Sequence, residues 1–235
     1  VKQVKRWHKR QLLGTTSWVI PGTYYENVDF ITKYFKEINF IELLVYTWDD
    51  DTHKLFEKEK SYLLKIAKQR GITYTVHLPT DDICNVVKAF EYLEENLKIA
   101  NYVLHPYCKI SESLYTEKLN TLLEHPKVAI ENLIECIQLH KRTVFDIGHH
   151  LLGLKVDADF LKKVVELHIM GVSNGKDHEK LNDQALQELY NLFSNKLFEI
   201  NYLCFEIFNE DDLAQSLQIW EEFKILKIGE EERGV

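Results

Sequence analysis

Glycine and proline are scarce in this chain, 9 and 4 of 235 residues. That excludes collagen-like and linker-dominated sequences and implies mostly short connections. The four cysteines, Cys84, Cys108, Cys136 and Cys204, form no C-x-x-C pair. Their scatter argues against a zinc ribbon or a disulfide framework and fits a reducing compartment. No apolar run reaches the roughly 18 residues that span a bilayer. No leader pattern opens the chain, so the expectation is a soluble, cytoplasmic protein without a membrane partner. Positive charge is in deficit, with 29 Lys and Arg against 37 Asp and Glu and a formal net charge of -8. Proteins that grip duplex DNA through phosphates present a basic face, because each contact releases counterions. Nucleic acid is therefore disfavoured as a partner. The basic run of Lys2, Lys5, Arg6, Lys9 and Arg10 reads as a solvated arm before the first strand.

What is present is an alternation of short β-branched runs with longer amphipathic stretches. The expected strands are Leu12–Thr15, Phe40–Tyr46, Ile72–His77, Tyr102–His105, Val128–Glu131, Thr143–Asp146, Glu166–Ile169 and Tyr202–Phe208. The clearest helix is Leu55–Arg70, where Tyr62, Leu63, Ile66 and Ala67 share a face and Gly71 supplies the stop. A last helix starts near Asp211 and buries Leu213, Leu217 and Trp220. Only about eleven residues separate Glu131 from Thr143, so any helix there must be a stub. Eight strands with helical crossovers predict an α/β chain folded as one (β/α)8 TIM barrel over residues 1–235. The alternative, an open doubly wound sheet, usually carries a glycine-rich phosphate loop after its first strand. Gly14-Thr15-Thr16-Ser17 lacks that fingerprint.

The strand ends carry the chemistry. The third expected strand ends in His77, the fourth in His105, the fifth in Glu131 and the sixth in Asp146, followed by His149. The seventh carries His168, with Asp177 and His178 in its following loop, and the eighth carries Glu206. In a barrel these ends converge on one face. One such histidine alone is more often a packed residue than a ligand; the signal is that six successive strands each supply a candidate. Imidazole and carboxylate suit zinc, manganese or iron, and a carboxylate can bridge two ions. Two histidines and a bridging glutamate make one site, and an aspartate, a histidine and a second glutamate complete its neighbour. Packing these carboxylates together without cations is unfavourable, since like charges that close cannot all ionise.

At these residues the sequence resembles the endonuclease IV and xylose isomerase-like TIM barrels, over about Leu12 to Phe223. His77, His105 and Glu131-Asn132 match that group's signature positions, and Asp146-Ile147-Gly148-His149 resembles its aspartate-x-x-histidine motif. A narrower resemblance is to the cobamide-remodelling phosphodiesterase family. It rests on Gly14-Thr15-Thr16-Ser17 with Pro21, on Thr73 to Pro79, on His168-x-x-Gly171 leading to Gly175-x-Asp177-His178, and on Glu42-Leu43-Leu44. The resemblance implies that Glu131 bridges two metals, with His77 and His105 on one side and Asp146, His168 and Glu206 on the other. Glu131 and Glu206 are the implied catalytic carboxylates. His149 and His178 would serve a third metal or the substrate phosphate. Here the sequence departs from the endonuclease pattern, because Asp177 is directly followed by His178. The implied activity is metal-dependent hydrolysis of the nucleotide-loop phosphodiester of a corrinoid, with two or three divalent ions per chain, zinc or manganese foremost.

Other candidates are weaker. Thr15, Ser17 and Trp18 follow the first strand on the same face, and Trp18 can stack on a flat ligand or serve as a lid. The acidic run Asp49-Asp50-Asp51 reads as a solvated loop, and Asp81-Asp82 as a helix cap. Glu42 lies mid-strand, where burial near the metals is one option. His8, His53, His125 and His140 read as ordinary surface residues, and Lys176 as a flexible surface lysine. Two other activities suit the same scaffold. A sugar isomerase or epimerase typically needs one metal and an acid–base pair, and an abasic-site endonuclease is disfavoured by the acidic charge. A binding module that has lost its chemistry should also have lost ligands, and none of the six core positions is missing.

Overall fold

The computed structural model describes residues 11–106 and 116–232. The basic run Lys2 to Arg10, His8 and Cys108 lie outside them. Eight parallel strands form a closed barrel: β1 (Leu12–Thr16), β2 (Phe40–Leu44), β3 (Thr73–His77), β4 (Ile99–Leu104), β5 (Val128–Glu131), β6 (Thr143–Asp146), β7 (Val164–Ile169) and β10 (Tyr202–Phe205). Strand β10 closes the ring by pairing with both β1 and β7. Parallel strands covered on both faces read as continuous apolar runs, and every residue of β2 and of β5 is buried. The two ends of the expected ladder shift slightly. Strand β4 starts earlier, at Ile99, and ends before His105, while β10 ends before Glu206. Both functional candidates thus sit just past their strands, on the loop side.

The crossovers are α1 (Tyr24–Tyr34), α2 (Asp50–Arg70), α3 (Ile83–Asn96), α4 (Thr116–Glu124), α5 (Ile147–Leu152), α6 (Ala158–Leu161), α7 (Asp183–Phe193) and α8 (Glu210–Glu232). Helix α2 begins five residues before the expected Leu55, because the Asp49 side chain accepts from Thr52 N and caps it. The acidic run is therefore a cap and first turn, where negative charge complements the helix dipole, rather than a loose loop. At the other end Gly71 takes the left-handed conformation, φ 69°, as the sequence predicts. Asp82 caps α3 in the same way. Residues 132–142 contain no helix at all, not even a stub.

An antiparallel pair, β8 (Gly171–Ser173) and β9 (Lys176–Glu179), follows β7 and was not expected. Its turn is Asn174-Gly175, both with positive φ, the pairing that a tight hairpin favours. The apolar core is a large layer between sheet and helices, and a second, small cluster of Val103, Ala129 and Val144 lies inside the barrel. Gly14 belongs to this packing: a Cβ there would lie 2.3 Å from the Phe40 ring, which is fully buried and stacks edge-on against Tyr202. No helix among the described residues is long and apolar enough to cross a membrane. The cysteine expectation needs one correction: Cys136 is disulfide-bonded, whereas Cys84 and Cys204 are free.

Candidate metal centre

Side chains two apart on a strand share a face, and this parity builds the site. On β3 Thr75 and His77 point inward, on β5 Ala129 and Glu131, on β6 Val144 and Asp146, on β7 Glu166 and His168. At the loop end the six core candidates meet. His77 Nε2 lies 3.4 Å and His105 Nε2 3.1 Å from Glu131 Oε2. The other carboxylate oxygen, Oε1, is 2.7 Å from His168 Nδ1, which is also 3.3 Å from Glu206 Oε2 and 3.9 Å from Asp146 Oδ2. Glu131 thus turns one oxygen to each of two groups. In each group, His77–His105–Glu131 and Glu131–Asp146–His168–Glu206, the ligand-type atoms lie within 4.8 Å of one another.

Backbone carbonyls set the orientation of several imidazoles. His77 Nδ1 lies 3.1 Å from Leu78 O, His149 Nδ1 2.9 Å from Asn132 O, and His178 Nδ1 3.2 Å from Glu206 O. A carbonyl only accepts, so each Nδ1 carries a proton, and a neutral ring leaves Nε2 as a lone-pair donor. Asn132 ties the floor together: its Oδ1 accepts from Asp146 N and its Nδ2 donates to Asp146 O. The Glu131-Asn132 pair therefore couples a ligand-type carboxylate to a clamp between β5 and β6. His178 has φ 57°, a left-handed backbone that costs a non-glycine residue about 1–2 kcal/mol. Its ring packs on Phe208. Gly148 is needed beneath the hairpin, since a Cβ there would lie 2.8 Å from Asp177 Cβ and 2.8 Å from Met170 Sδ.

The electrostatics record a conflict between like charges. Burial raises Glu131, but His168, His105 and His77 outweigh it and hold the carboxyl well below its usual range. Glu206 is likewise lowered, burial being outweighed by His168. Asp146 goes the other way, raised well above normal by burial and by its neighbours Glu131 and Glu206. Burial disfavours charge on His168, yet Glu42, Glu131 and Glu206 prevail and keep it protonated. His77 is pushed up to about 9 by Glu131, Glu42 and Glu206 against the opposing effect of burial. His105 is lowered, chiefly by burial. The protein itself thus supplies protons as counter-charge. The buried atoms without a hydrogen bond include Asp146 Oδ2, His168 Nδ1 and Glu42 Oε1, although His168 Nδ1 has three carboxylates around it. Ligand-type atoms that converge in this way, with Asp146 Oδ2 left unpaired, fit a cation between them.

The cleft above is small, ≈160 Å³, and is lined by His77, His105, Glu131, His149, His178 and Glu206, with Tyr46, Thr80 and Phe208 on its rim. Asp146 and His168 lie under its floor, fully buried. A larger hollow of ≈380 Å³ near Leu161, Lys196 and Asn201 is at the opposite end of the strands and holds none of the cluster. The remaining candidates divide. Thr15 is fully buried with its hydroxyl donated to Phe205 O, so it holds the sheet together and does not reach either cleft at the strand ends. Ser17 Oγ accepts from Leu44 N. Ser17 and Trp18 line a neighbouring cleft of ≈250 Å³ that shares Leu44 and Tyr46 with the first, and Trp18 meets Tyr46 edge-on. His53, His125 and His140 lie away from the cluster. His53 packs on Trp48 and Tyr92, His125 on Phe90, and His140 is half-buried with both ring nitrogens against backbone carbonyls.

Sequence reasoning missed Glu166. It is fully buried one layer below His168, accepts from Asn101 Nδ2 at 2.6 Å and from Thr75 Oγ1 at 3.3 Å, and is raised to about 8 by burial and by Glu42. The signal was available: Glu166 stands two before His168 on one strand.

No protein-family model matches the chain, and no curated protein matches it. Solved structures do. A D-tagatose 3-epimerase-like protein is similar with a TM-score of 0.70 at 18% identity, covering 94% of this chain and 99% of the other. A xylose isomerase domain protein from Planctomyces limnophilus gives 0.59 at 13%, over 94% and 99%. SacUVDE gives 0.55 at 13%, over 91% and 99%. At such identities the likeness is one of fold: the chain is a (β/α)8 barrel, similar in fold to these proteins, whose strand ends carry a His and carboxylate cluster able to hold divalent metal. None of these likenesses supports the narrower cobamide-remodelling resemblance.

Proposed function

We propose that this chain is a divalent-metal-dependent phosphodiesterase. The observation that carries the reading is Glu131, whose two oxygens face two separate donor groups. His77, His105 and Glu131 would hold one ion, and Glu131, Asp146, His168 and Glu206 a second; zinc or manganese suits such donors. Bound there, the ions would neutralise charge on a phosphate and acidify a water for in-line attack. His149, and His178 with its Nε2 3.6 Å from Asp177 Oδ1, would bind phosphate oxygens or a third ion. Tyr46 on the rim is raised by burial and by Glu206, so it stays a neutral phenol able to donate to a leaving or non-bridging oxygen. The substrate we assign is a small molecule, a cobamide cut at its nucleotide-loop phosphodiester, on the strength of the motif resemblance. The acidic composition weighs against nucleic acid.

The test is mass spectrometry of adenosylcobalamin and, separately, of bis(p-nitrophenyl) phosphate after incubation with metal-loaded protein. Cleavage of both, lost on chelation, supports the full reading. Cleavage of the simple diester alone keeps the activity and removes the corrinoid. A second reading, sugar isomerisation or epimerisation at one metal, is favoured by the four-residue group Glu131–Asp146–His168–Glu206 taken by itself. Conversion of a ketohexose with neither diester cut would establish it instead.

A further inference from the structure

His168 is enclosed on both sides. Its Nδ1 faces Glu131, Asp146 and Glu206, and its Nε2 lies 3.3 Å from Oε2 of Glu42, across the barrel on β2. Both side chains are fully buried, so no water competes for this contact. Glu42 is held from below. Thr75 Oγ1 lies 3.5 Å from Glu42 Oε2 and 3.3 Å from Glu166 Oε1, Glu166 accepts from Asn101, and Asn101 Oδ1 accepts from Arg142 Nη2 at 2.6 Å. The chain of contacts Arg142–Asn101–Glu166–Thr75–Glu42 runs through the barrel interior and ends on the imidazole. The other ring anchors in the cluster, at His77, His149 and His178, are backbone carbonyls. At His168 the anchor is instead a buried carboxylate.

We propose that Glu42 is a positioning residue for the metal centre: it accepts the Nε2 proton of His168, fixes the ring, and leaves Nδ1 as the donor to the ion at Glu131, Asp146 and Glu206. A carboxylate behind a ligating imidazole fixes its tautomer and raises its basicity, and removing such a partner typically costs 10–100-fold in metal affinity. Glu42 touches no substrate. The assignment predicts an asymmetry, because Glu42 touches His168 but acts on His77 only as a charge at a distance. It rests on the two-group metal reading above.

The experiment is a Co2+ titration against a competing chelator, with the two binding steps assigned using His77→Ala and His168→Ala. In Glu42→Gln the step assigned to His168 should weaken 10–100-fold, and the step assigned to His77 should stay within about threefold. In a His168→Ala background the same substitution should change nothing further. Equal weakening of both steps, or no weakening, overturns the role of Glu42. Failure of the wild-type protein to bind Co2+ overturns the metal reading itself. A measurement independent of any variant's folding is the long-range 1H–15N spectrum of the Zn2+-loaded wild-type protein. The His168 ring should carry its proton on Nε2, and a proton on Nδ1 would rule the assignment out.

Discussion

Two regions of this barrel are buried equally and built oppositely. The layer between sheet and helices is closed with Phe56, Leu63, Phe145, Phe160, Leu189 and Trp220, all at most 1% exposed. Among the described residues the barrel interior offers a small apolar cluster, Val103, Ala129 and Val144, and the Phe40 ring, and beside them Thr75, Asn101, Glu42, Glu166, His168 and Cys204, none of them exposed. Burying apolar surface is the dominant favourable contribution to folding, whereas burying charge is unfavourable unless it is paired. The outer layer therefore carries the stability that lets the interior hold groups a stable core would avoid. Stability and chemistry are separated by one sheet, and substitutions on its two sides should be told apart by which property they change.

The largest effect on the outer side should come from Trp220→Ala. Its indole, on α8, sits against Phe223 of the same helix and against Phe198, far from the strand ends, and truncating a buried aromatic of this kind costs about 3–5 kcal/mol. Chemical denaturation should show that loss while metal affinity per folded molecule is unchanged. A matching loss of metal affinity would mean the two regions are coupled through the sheet.

On the inner side Glu131→Gln should do the reverse. An amide cannot serve as an anionic bridge, and it places an NH2 group among the His77, His105 and His168 nitrogens. Activity should fall by at least about a hundredfold, as for loss of one preorganised electrostatic group, with metal content reduced and the circular dichroism spectrum intact. Full activity in this variant would sink the metal assignment.

This separation also explains what could be read from sequence. The outer layer announces itself, because strands covered on both faces are continuous apolar runs, and β5 and β6 are located to the residue. Their terminal Glu131 and Asp146 follow at once. The barrel interior is harder to read, because a one-residue change of register turns every side chain to the other face. Glu42 is undecidable from its own strand and is placed only by its contact with His168 across the barrel. Glu166 is hidden in the same way, although its spacing of two from His168 would have revealed it once His168 was assigned inward. Thr15 was misjudged for the same reason, its hydroxyl being turned to the neighbouring strand rather than the cleft. The hairpin after β7 is a different matter: Asn174-Gly175 is a turn signal in plain sight, and reading it would have grouped Asp177 and His178 on one short ribbon.

The smallest effect, and the one that most sharpens the comparison, concerns protons. Without metal, His77 is raised to about 9 from an ordinary value near 6.5, and Glu166 is raised to about 8 by burial and by Glu42. Groups whose folded pKa is raised hold more protons in the folded than in the unfolded state, so stability falls as pH rises across that interval. The contribution of His77 is complete below about 6.5 and is lost as pH passes through about 9; that of Glu166 declines over the range up to about 8. Both act in one direction between pH 6.5 and 9. His105, lowered by burial, acts only below its ordinary range and does not oppose them there. Metal binding requires the same imidazoles without their protons and so strengthens as pH rises. Calorimetric melts in chelator should therefore give a lower Tm at pH 9 than at pH 6.5, and melts with saturating Zn2+ should lose or invert that slope. A chelated protein whose Tm is flat or rises over this range would show that protons do not take the place of the cations, and the polar interior would need another source of counter-charge.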